Sequence, residues 1–362
     1  MVKKTKIKNK TVFVGVSGGV DSAVAALILK QQGYNVVGVF IRTWAPDFIN
    51  CTWRDERRDA MRVCAYLEIP FLECDAEKEY EKGVANYMID EYKNGRTPNP
   101  DVMCNREVKF GVFWNFAKQK GADFIATGHY VKKETKNNEY LLKKNKDEGK
   151  DQVYFLWTLK QEDLDHSLFP LGNLKKKEVR ILAKKHKLPN AEKKDSQGVC
   201  FLGPLDMKVF LQHYIQTKQG NVIDEKGEVI GTHDGAVFFT IGERHGFTIK
   251  KECKASKPLY VVSKNISANT ITVSEKSPVF SGKEKGLIMI NISNTNWISY
   301  KPDEKKKYQA QIRYHGELVD CYVKNVDDHN ALVTFKNELK IDAGQSLVLY
   351  ENDICLGGGV AD

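Results

Sequence analysis

No stretch of the 362 residues approaches the roughly 20 consecutive apolar positions that span a bilayer, so no transmembrane helix and no membrane partner are expected. The Lys-rich start, Met1 to Lys10, runs straight into the β-branched Thr11 to Val16. It lacks the apolar core and small-residue cleavage site of a signal peptide, so a cytoplasmic protein is expected. The chain has 8 cysteines, Cys51, Cys64, Cys74, Cys104, Cys200, Cys253, Cys321 and Cys355, but no C-x-x-C pair. A zinc ribbon or finger is thereby disfavoured, and no metal ligands are assigned. There is no Walker Gly-Lys-Ser/Thr ending and no dinucleotide G-x-G-x-x-G. Low-complexity segments and internal repeats are absent as well.

What is present is an ordinary globular composition, 41% hydrophobic and 28% charged, with a formal charge of +9. A basic excess suits a polyanionic partner, because Lys and Arg displace condensed counterions from phosphates. Lysines cluster at Lys143, Lys144 and Lys146, at Lys175 to Lys177, and at Lys184, Lys185 and Lys187; each cluster reads equally well as a solvated face. Through the first two hundred residues β-like and helical runs alternate: Thr11 to Val16, Asp21 to Gln32, Asn35 to Ile41, Arg54 to Leu67, Pro70 to Glu73, Glu77 to Lys93, Val108 to Lys120 and Phe124 to Thr127. That order predicts a doubly wound parallel α/β sheet. After about Gln219 the texture becomes short β-like runs between Gly, Asn and Asp turns, among them Ala236 to Thr240 and Tyr308 to Tyr314. Two small, mainly β domains are expected there, which divides the chain at 1–218, 219–282 and 283–362.

The strongest local signal is Gly15-Val16-Ser17-Gly18-Gly19-Val20-Asp21-Ser22, placed between a strand and a helix. Adjacent glycines let backbone N–H groups close around a phosphate, and the helix N-terminus adds partial positive charge. Ser17 and Ser22 bring hydroxyls, and Asp21 a carboxylate for magnesium or for a helix cap. The segment resembles the S-G-G-x-D-S pyrophosphate loop of the PP-loop ATP pyrophosphatases, which split ATP between its α and β phosphates and adenylate a carbonyl oxygen.

Two cysteines stand in loop-like surroundings. Cys104 follows Thr97-Pro98-Asn99-Pro100-Asp101, where two prolines argue for an ordered loop. Cys200 lies between Gly198 and Gly203 in Asp195-Ser196-Gln197-Gly198-Val199-Cys200-Phe201-Leu202-Gly203. Both are better reactive candidates than Cys64 on the apolar side of a helix. The ordered set S-G-G-V-D-S, N-P-D-x-x-C-N, A-T-G-H-Y, K-D-Q, D-S-x-G-x-C-F and L-G-G-G, running from Gly15 to Gly359, resembles the tRNA-specific 2-thiouridylases. That family makes 2-thiouridine at the wobble position of certain tRNAs.

The resemblance implies ATP with magnesium at Gly15 to Ser22, Ile41 and Gly128. It implies that Asn99, Pro100 and Asp101 meet the target base, and that His129, Lys150, Asp151, Gln152, Arg313, Tyr314 and Gln345 contact tRNA. Cys200 would carry the incoming sulfur as a persulfide, supplied by a cysteine desulfurase or a sulfur-relay protein, and Cys104 would be the second thiol, with Asp101 as acid or base. The first domain would then be catalytic and the last a barrel-like tRNA binder. Ala343, Glu243 and Ala23 depart from the family's usual proline, glutamine and serine. Three other readings stay open: an iron–sulfur cluster on Asp101, Cys104 and Cys200; a PP-loop ligase or amidotransferase acting on a small molecule; and a tRNA-binding or sulfur-carrier protein without ATP chemistry.

Overall fold

The computed structural model describes residues 9–49, 53–195, 198, 206–250, 257–276, 285–337 and 339–362. Strands β1 (Thr11–Gly15), β2 (Asn35–Arg42), β3 (Phe71–Asp75), β4 (Phe124–Ala126) and β7 (Ser167–Leu168) form one sheet in the order β3-β2-β1-β4-β7. Every pairing in it is parallel. Alternate residues feed opposite faces. Val12 and Val14 pack with helices α1 (Val20–Gln32) and α2 (Trp53–Tyr66), whereas Phe13 packs with helical residues such as Tyr80, Val108 and Phe113. Apolar side chains on both sides of a strand are what a sheet covered on both faces requires. The expected doubly wound layer is therefore present.

The second sheet runs in the order β10-β9-β8-β12-β11. It is built from β8 (Gly220–Ile223), β9 (Val229–His233), β10 (Phe247–Ile249), β11 (Tyr260–Asn265) and β12 (Thr270–Ser274). The run Ala236 to Thr240 is not a strand; Ala236–Phe238 forms a short 3-10 turn whose side chains go into the core. In the third unit, β13 (Lys285–Trp297), β14 (Tyr308–Gln311), β15 (Val319–Asn325), β16 (Ala331–Asn337), β17 (Ser346–Glu351) and β18 (Ile354–Ala361) pair in a ring that β13 and β18 close. Closure explains the terminal glycines. A Cβ at Gly357 would collide with the Asn296 carbonyl, and one at Gly358 with the Leu347 carbonyl, so neighbouring backbones approach where a side chain would stand.

The units share interior. The hairpin β5 (Lys132–Lys136) and β6 (Glu139–Lys143) comes from the first domain's stretch of chain but pairs with β18, so the barrel sheet continues into it. Met88, Ile89 and Tyr92 pack with Phe210, Leu211, Val237 and Phe238 beneath the second sheet. At one buried point all three units meet. Asp342 Oδ2 accepts from Thr97 Oγ1 at 3.0 Å and from the Ile241 backbone N–H at 2.8 Å, while its Oδ1 lies 3.2 Å from Lys264 Nζ. Lys264 also donates to the Phe239 carbonyl at 3.0 Å. The two charged side chains are 8% and 4% exposed, so removing one leaves the other desolvated and unpaired. Asp342→Ala is expected to destabilise the chain by about 3–5 kcal/mol in urea unfolding. The double change Asp342→Leu with Lys264→Met should cost clearly less; equal costs would contradict the buried-pair account.

Candidate active site

Strand order reverses between β1 and β4, and in open parallel sheets ligands bind beyond the strand C-termini at such a point. A cavity of about 550 Å³ lies there. Its floor is the segment after β1, from Gly15 to Val20 and on to Asp21 and Ser22 at the start of α1, with Gly18 left out of the lining. Gly18 has φ +72°, and a Cβ there would come within 2.7 Å of the Glu56 carbonyl, so glycine is required. Ser22 Oγ donates to the Gly19 carbonyl at 3.1 Å and accepts from Ser17 N–H at 3.3 Å, which folds the loop on itself. Ile41 enters from the end of β2, and Thr127, Gly128 and His129 from the end of β4. A Cβ at Gly128 would sit 2.8 Å from the Ser22 nitrogen; glycine lets the end of β4 approach the first turn of α1.

The carboxylate of Asp21 is already engaged. Tyr130 Oη donates to it at 2.7 Å, and Lys176 Nζ reaches both oxygens at 2.7 and 2.8 Å. Lys176 also lies 2.8 Å from Asp195, which Lys150 meets at 2.9 Å and Arg180 at 2.5 Å. Burial opposes ionisation of Asp195, but the hydrogen bonds and charges of Lys176 and Lys150 outweigh it and hold this carboxyl far below the usual range. Burial, and then the charge of Asp21, push the Tyr130 phenol far up, so it remains a donor. His129 is 7% exposed, and burial followed by the charge of Lys109 holds its imidazole well below the ordinary value. It is neutral at pH 7, with Nδ1 2.8 Å from Thr127 Oγ1.

Opposite the loop, the cavity is lined by Asp101, Asn105 and Lys109, spaced by four along one helix. Here a sequence expectation is corrected. The segment around Cys104 is not a loop: residues 100–119 are helical, with Asn99 as cap, Pro100 at the first turn and a π-wound stretch over Cys104–Val112. An Asn cap followed by proline is a helix-start signature, because proline lacks only an N–H that the first turn leaves unpaired anyway. Cys104 is consequently not at a surface; it is 0% exposed within the core that contains Val39, Ile41 and Val108. Cys200, with Ser196, Gln197 and Val199 of its motif, lies outside the described residues.

The remaining candidates separate. Lys150, Gln152 and Tyr314 line the cavity, and the Tyr314 ring lies 4.4 Å from that of Phe155. Gln152 is tied to Tyr130 by two bonds: its Oε1 accepts from Tyr130 N–H at 3.0 Å, and its own N–H donates to the Tyr130 carbonyl at 3.1 Å. Asp151 is not in the lining and accepts the Asn145 N–H at 2.8 Å. Arg313 is exposed beside Tyr314. Gln345 donates to the Thr97 carbonyl at 2.9 Å, and Ala343 accepts the Thr97 N–H at 2.7 Å, so both brace the segment leading to Asn99. Glu243 accepts the Thr240 N–H at 3.0 Å, and burial raises its carboxyl. Lys176, Tyr130, Asn105, Lys109 and Phe155 were not singled out from sequence. Asn105 stands in the quoted N-P-D-x-x-C-N run and Tyr130 in A-T-G-H-Y, while Lys176 lies in a lysine cluster that reads equally well as a polyanion contact or a solvated face. Among the described residues no group of three or more His, Cys, Asp or Glu could hold a metal ion.

Fold and site together define a class: a nucleotide-binding α/β domain with a PP-type loop at its switch point, fused to two β modules. Comparison with known proteins agrees. Residues 10–204 match the model described as tRNA methyl transferase HUP domain, 208–275 the tRNA methyl transferase PRC-barrel domain, and 288–361 the aminomethyltransferase beta-barrel domain. The tRNA-specific 2-thiouridylase MnmA 2 of Aliarcobacter butzleri is 42% identical over 97% of this chain and 98% of its own length. The tRNA-specific 2-thiouridylase MnmA of Oceanobacillus iheyensis is 42% identical over 98% and 95%, and that of Geobacillus thermodenitrificans 41% over 97% and 94%. The chain belongs to the tRNA-specific 2-thiouridylase family. A solved U34-tRNA thiolase, NcsA from Methanococcus maripaludis with its 4Fe-4S cluster, is 18% identical over 57% of this chain and 65% of its own, with a TM-score of 0.36, too distant to inform any residue here.

Burial raises the Asp151 carboxyl to about 6, against about 3.9 for an ordinary aspartate, and the Asn145 N–H only partly offsets this. A folded-state pKa above the unfolded one means that the contribution to stability is full below pH 4 and is lost as pH rises through 6. Asp151→Asn is therefore expected to flatten the stability profile between pH 4 and 7 in thermal unfolding; an unchanged slope would place the carboxyl in water.

Proposed function

We propose that this chain uses ATP to replace the C2 oxygen of a wobble uridine in tRNA with sulfur. The observation that carries this reading is one cavity shared by the Gly15–Ser22 loop, the helix bearing Asp101, and Tyr314 from the barrel. A nucleotide, a carboxylate and an aromatic wall then converge on one base. Membership in a family whose named relatives are tRNA-specific 2-thiouridylases supplies the substrate class.

The chemistry follows from the weakness of a urea-like carbonyl. Its carbon is a poor electrophile and its oxygen a poor leaving group. The uridine O2 attacks the α-phosphorus of ATP, pyrophosphate departs, and C2 now carries AMP as leaving group. The loop's backbone, the α1 N-terminus and Lys150 offer positive potential to the phosphates. Asp21 is the carboxylate the loop offers to the magnesium that accompanies ATP, and Lys176, which now neutralises it, competes for that position. Neutral His129 offers hydrogen bonding without adding charge beside the base.

Sulfur arrives as a persulfide on Cys200, from a desulfurase or a relay protein. Either its terminal sulfur attacks C2, AMP leaves, and Cys104 then attacks the Cys200 sulfur to release the thiouridine, or Cys104 attacks the Cys200 sulfur first and frees hydrosulfide, which attacks C2 and expels AMP; both routes leave a Cys104–Cys200 disulfide for a reductant. Cys104, fully buried in this state, must become accessible first. Asp101, three residues earlier, is the acid or base for that exchange. The exposed Arg313 beside Tyr314 suits phosphate contact next to base stacking. We place the domain limits at 1–218, 219–282 and 283–362, and the enzyme in the cytoplasm.

Unmodified tRNA carrying a wobble uridine, incubated with ATP, magnesium, a cysteine desulfurase and cysteine, should become retarded on a mercury gel, and Cys104→Ser or Cys200→Ser should abolish retardation. Retardation surviving Cys200→Ser would overturn the persulfide assignment. Pyrophosphate release from ATP that depends on a small-molecule substrate, with no tRNA product, would favour the ligase reading. Arg313→Glu should weaken tRNA binding about tenfold and lower its log–log salt slope by about one, leaving ATP affinity unchanged. Unchanged tRNA binding would remove Arg313 from the interface.

A further inference from the structure

Among the described residues, Asn105 carries a buried acceptor with nothing to accept. The residue is 2% exposed and lines the cavity. Its Nδ2 donates to the Phe155 carbonyl at 3.1 Å. A carbonyl can only accept, so this bond fixes which end of the amide is nitrogen and which is oxygen. The oxygen, Oδ1, has no hydrogen-bond partner among the described residues. Leaving such an atom unpaired is costly, and binding sites use that cost to select a ligand with the matching donor.

The surroundings say what kind of ligand. Asp101 lies one turn before Asn105 on the same helix. The side chains of Phe155 and Tyr314 supply aromatic faces, with ring centroids 4.4 Å apart. Aromatic faces beside a single buried acceptor suit a planar base that is stacked and read at its edge. The Watson–Crick edge of uracil has one donor, N3–H, between two carbonyl oxygens. We propose that Asn105 Oδ1 accepts the N3–H of the target uracil and is a specificity-determining contact of the thiolation site. This rests on the functional reading above and adds the atom by which the base is checked.

The contact also follows the reaction. When O2 displaces pyrophosphate, the ring takes up positive charge and keeps its N3 proton. Sulfur then adds at C2, AMP leaves, and N3–H is still present in the thiouridine. A hydrogen bond from N3–H to Oδ1 therefore strengthens as the ring becomes cationic and relaxes afterwards, so it acts more on the rate than on ground-state binding.

The test is a two-by-two comparison under single-turnover conditions. The full chain and Asn105→Ala are each given tRNA with uridine or N3-methyluridine at the wobble position, and thiolation and tRNA binding are both measured. The wild-type chain is expected to lose about 10- to 100-fold in rate on N3-methylation. Asn105→Ala should lose a similar factor with uridine, and methylation should then cost it little more. tRNA binding should change less than about threefold throughout. If methylation slows Asn105→Ala as much as wild type, or leaves wild type unaffected, the contact does not exist. If Asn105→Ala does not fold, Asn105→Ser carries the same comparison, and its keeping the full methylation penalty together with the full uridine rate would overturn the proposal. A wild-type chain that never thiolates the uridine tRNA would instead overturn the functional reading, and this inference with it.

Discussion

A carboxylate of the barrel, Asp342, ties three parts of the chain together at a point that water does not reach, and the geometry of the site depends on it. One oxygen holds Thr97 Oγ1 and the Ile241 N–H, and the other faces Lys264. Thr97 is four residues past the end of the helix over residues 77–93 that seats the second sheet, and two residues before Asn99, which caps the helix of Asp101 and Cys104. The backbone of Thr97 is gripped from the barrel side as well, by Ala343 and Gln345. Gly344, at φ +92°, lies where a Cβ would come within 3.0 Å of the Thr97 nitrogen, so the barrel turn can press directly against this segment. A buried ion pair contributes little net stability compared with apolar packing. Its directional bonds, however, fix the relative placement of units that a slippery apolar contact would leave free to slide.

On the other side of the cavity charge is arranged with equal economy. Two carboxylates, Asp21 and Asp195, share Lys176, and Asp195 takes Lys150 and Arg180 in addition. Lys176 and Arg180 lie on one helix, residues 176–185, and their partners come from the nucleotide loop and the first position of the Cys200 motif, which also takes Lys150 of the K-D-Q run, so these segments are electrostatically one body. When a polyphosphate enters, it competes for the same cations. The carboxylates hold Lys176 and Lys150 in position around the loop. Neutral His129 and the protonated Tyr130 phenol complete a site rich in donors, with its charges paired.

Much of this was legible in the sequence, and the reasons differ by element. The sheet was readable because strands buried on both faces are apolar at successive positions, as in Thr11 to Val16, and because a Gly-rich segment between strand and helix has few other uses. The Cys104 environment was misread because two prolines suggested a loop, although Asn99-Pro100 is also how a helix begins. Three consecutive glycines are a weak strand signal, yet they lie in β18; the closed barrel shows that they are needed for the approach of β13 and β17. The hairpin of β5 and β6 belongs by pairing to a barrel more than two hundred residues away, a relation that no local pattern carries. Lys176 and Asn105 act through partners distant in sequence, Asp21 and Phe155, and nothing in a lysine cluster or a lone asparagine announces such a partner.

The central claim is that ATP is spent on the uridine oxygen itself, and oxygen labelling reads this directly. Transfer RNA containing ¹⁸O at C2 of the wobble uridine would be thiolated in unlabelled water, and the AMP and pyrophosphate examined by mass spectrometry. The account predicts one ¹⁸O in AMP for each thiouridine formed and none in pyrophosphate. Unlabelled AMP, with the ¹⁸O released to water or retained in the base, would contradict it.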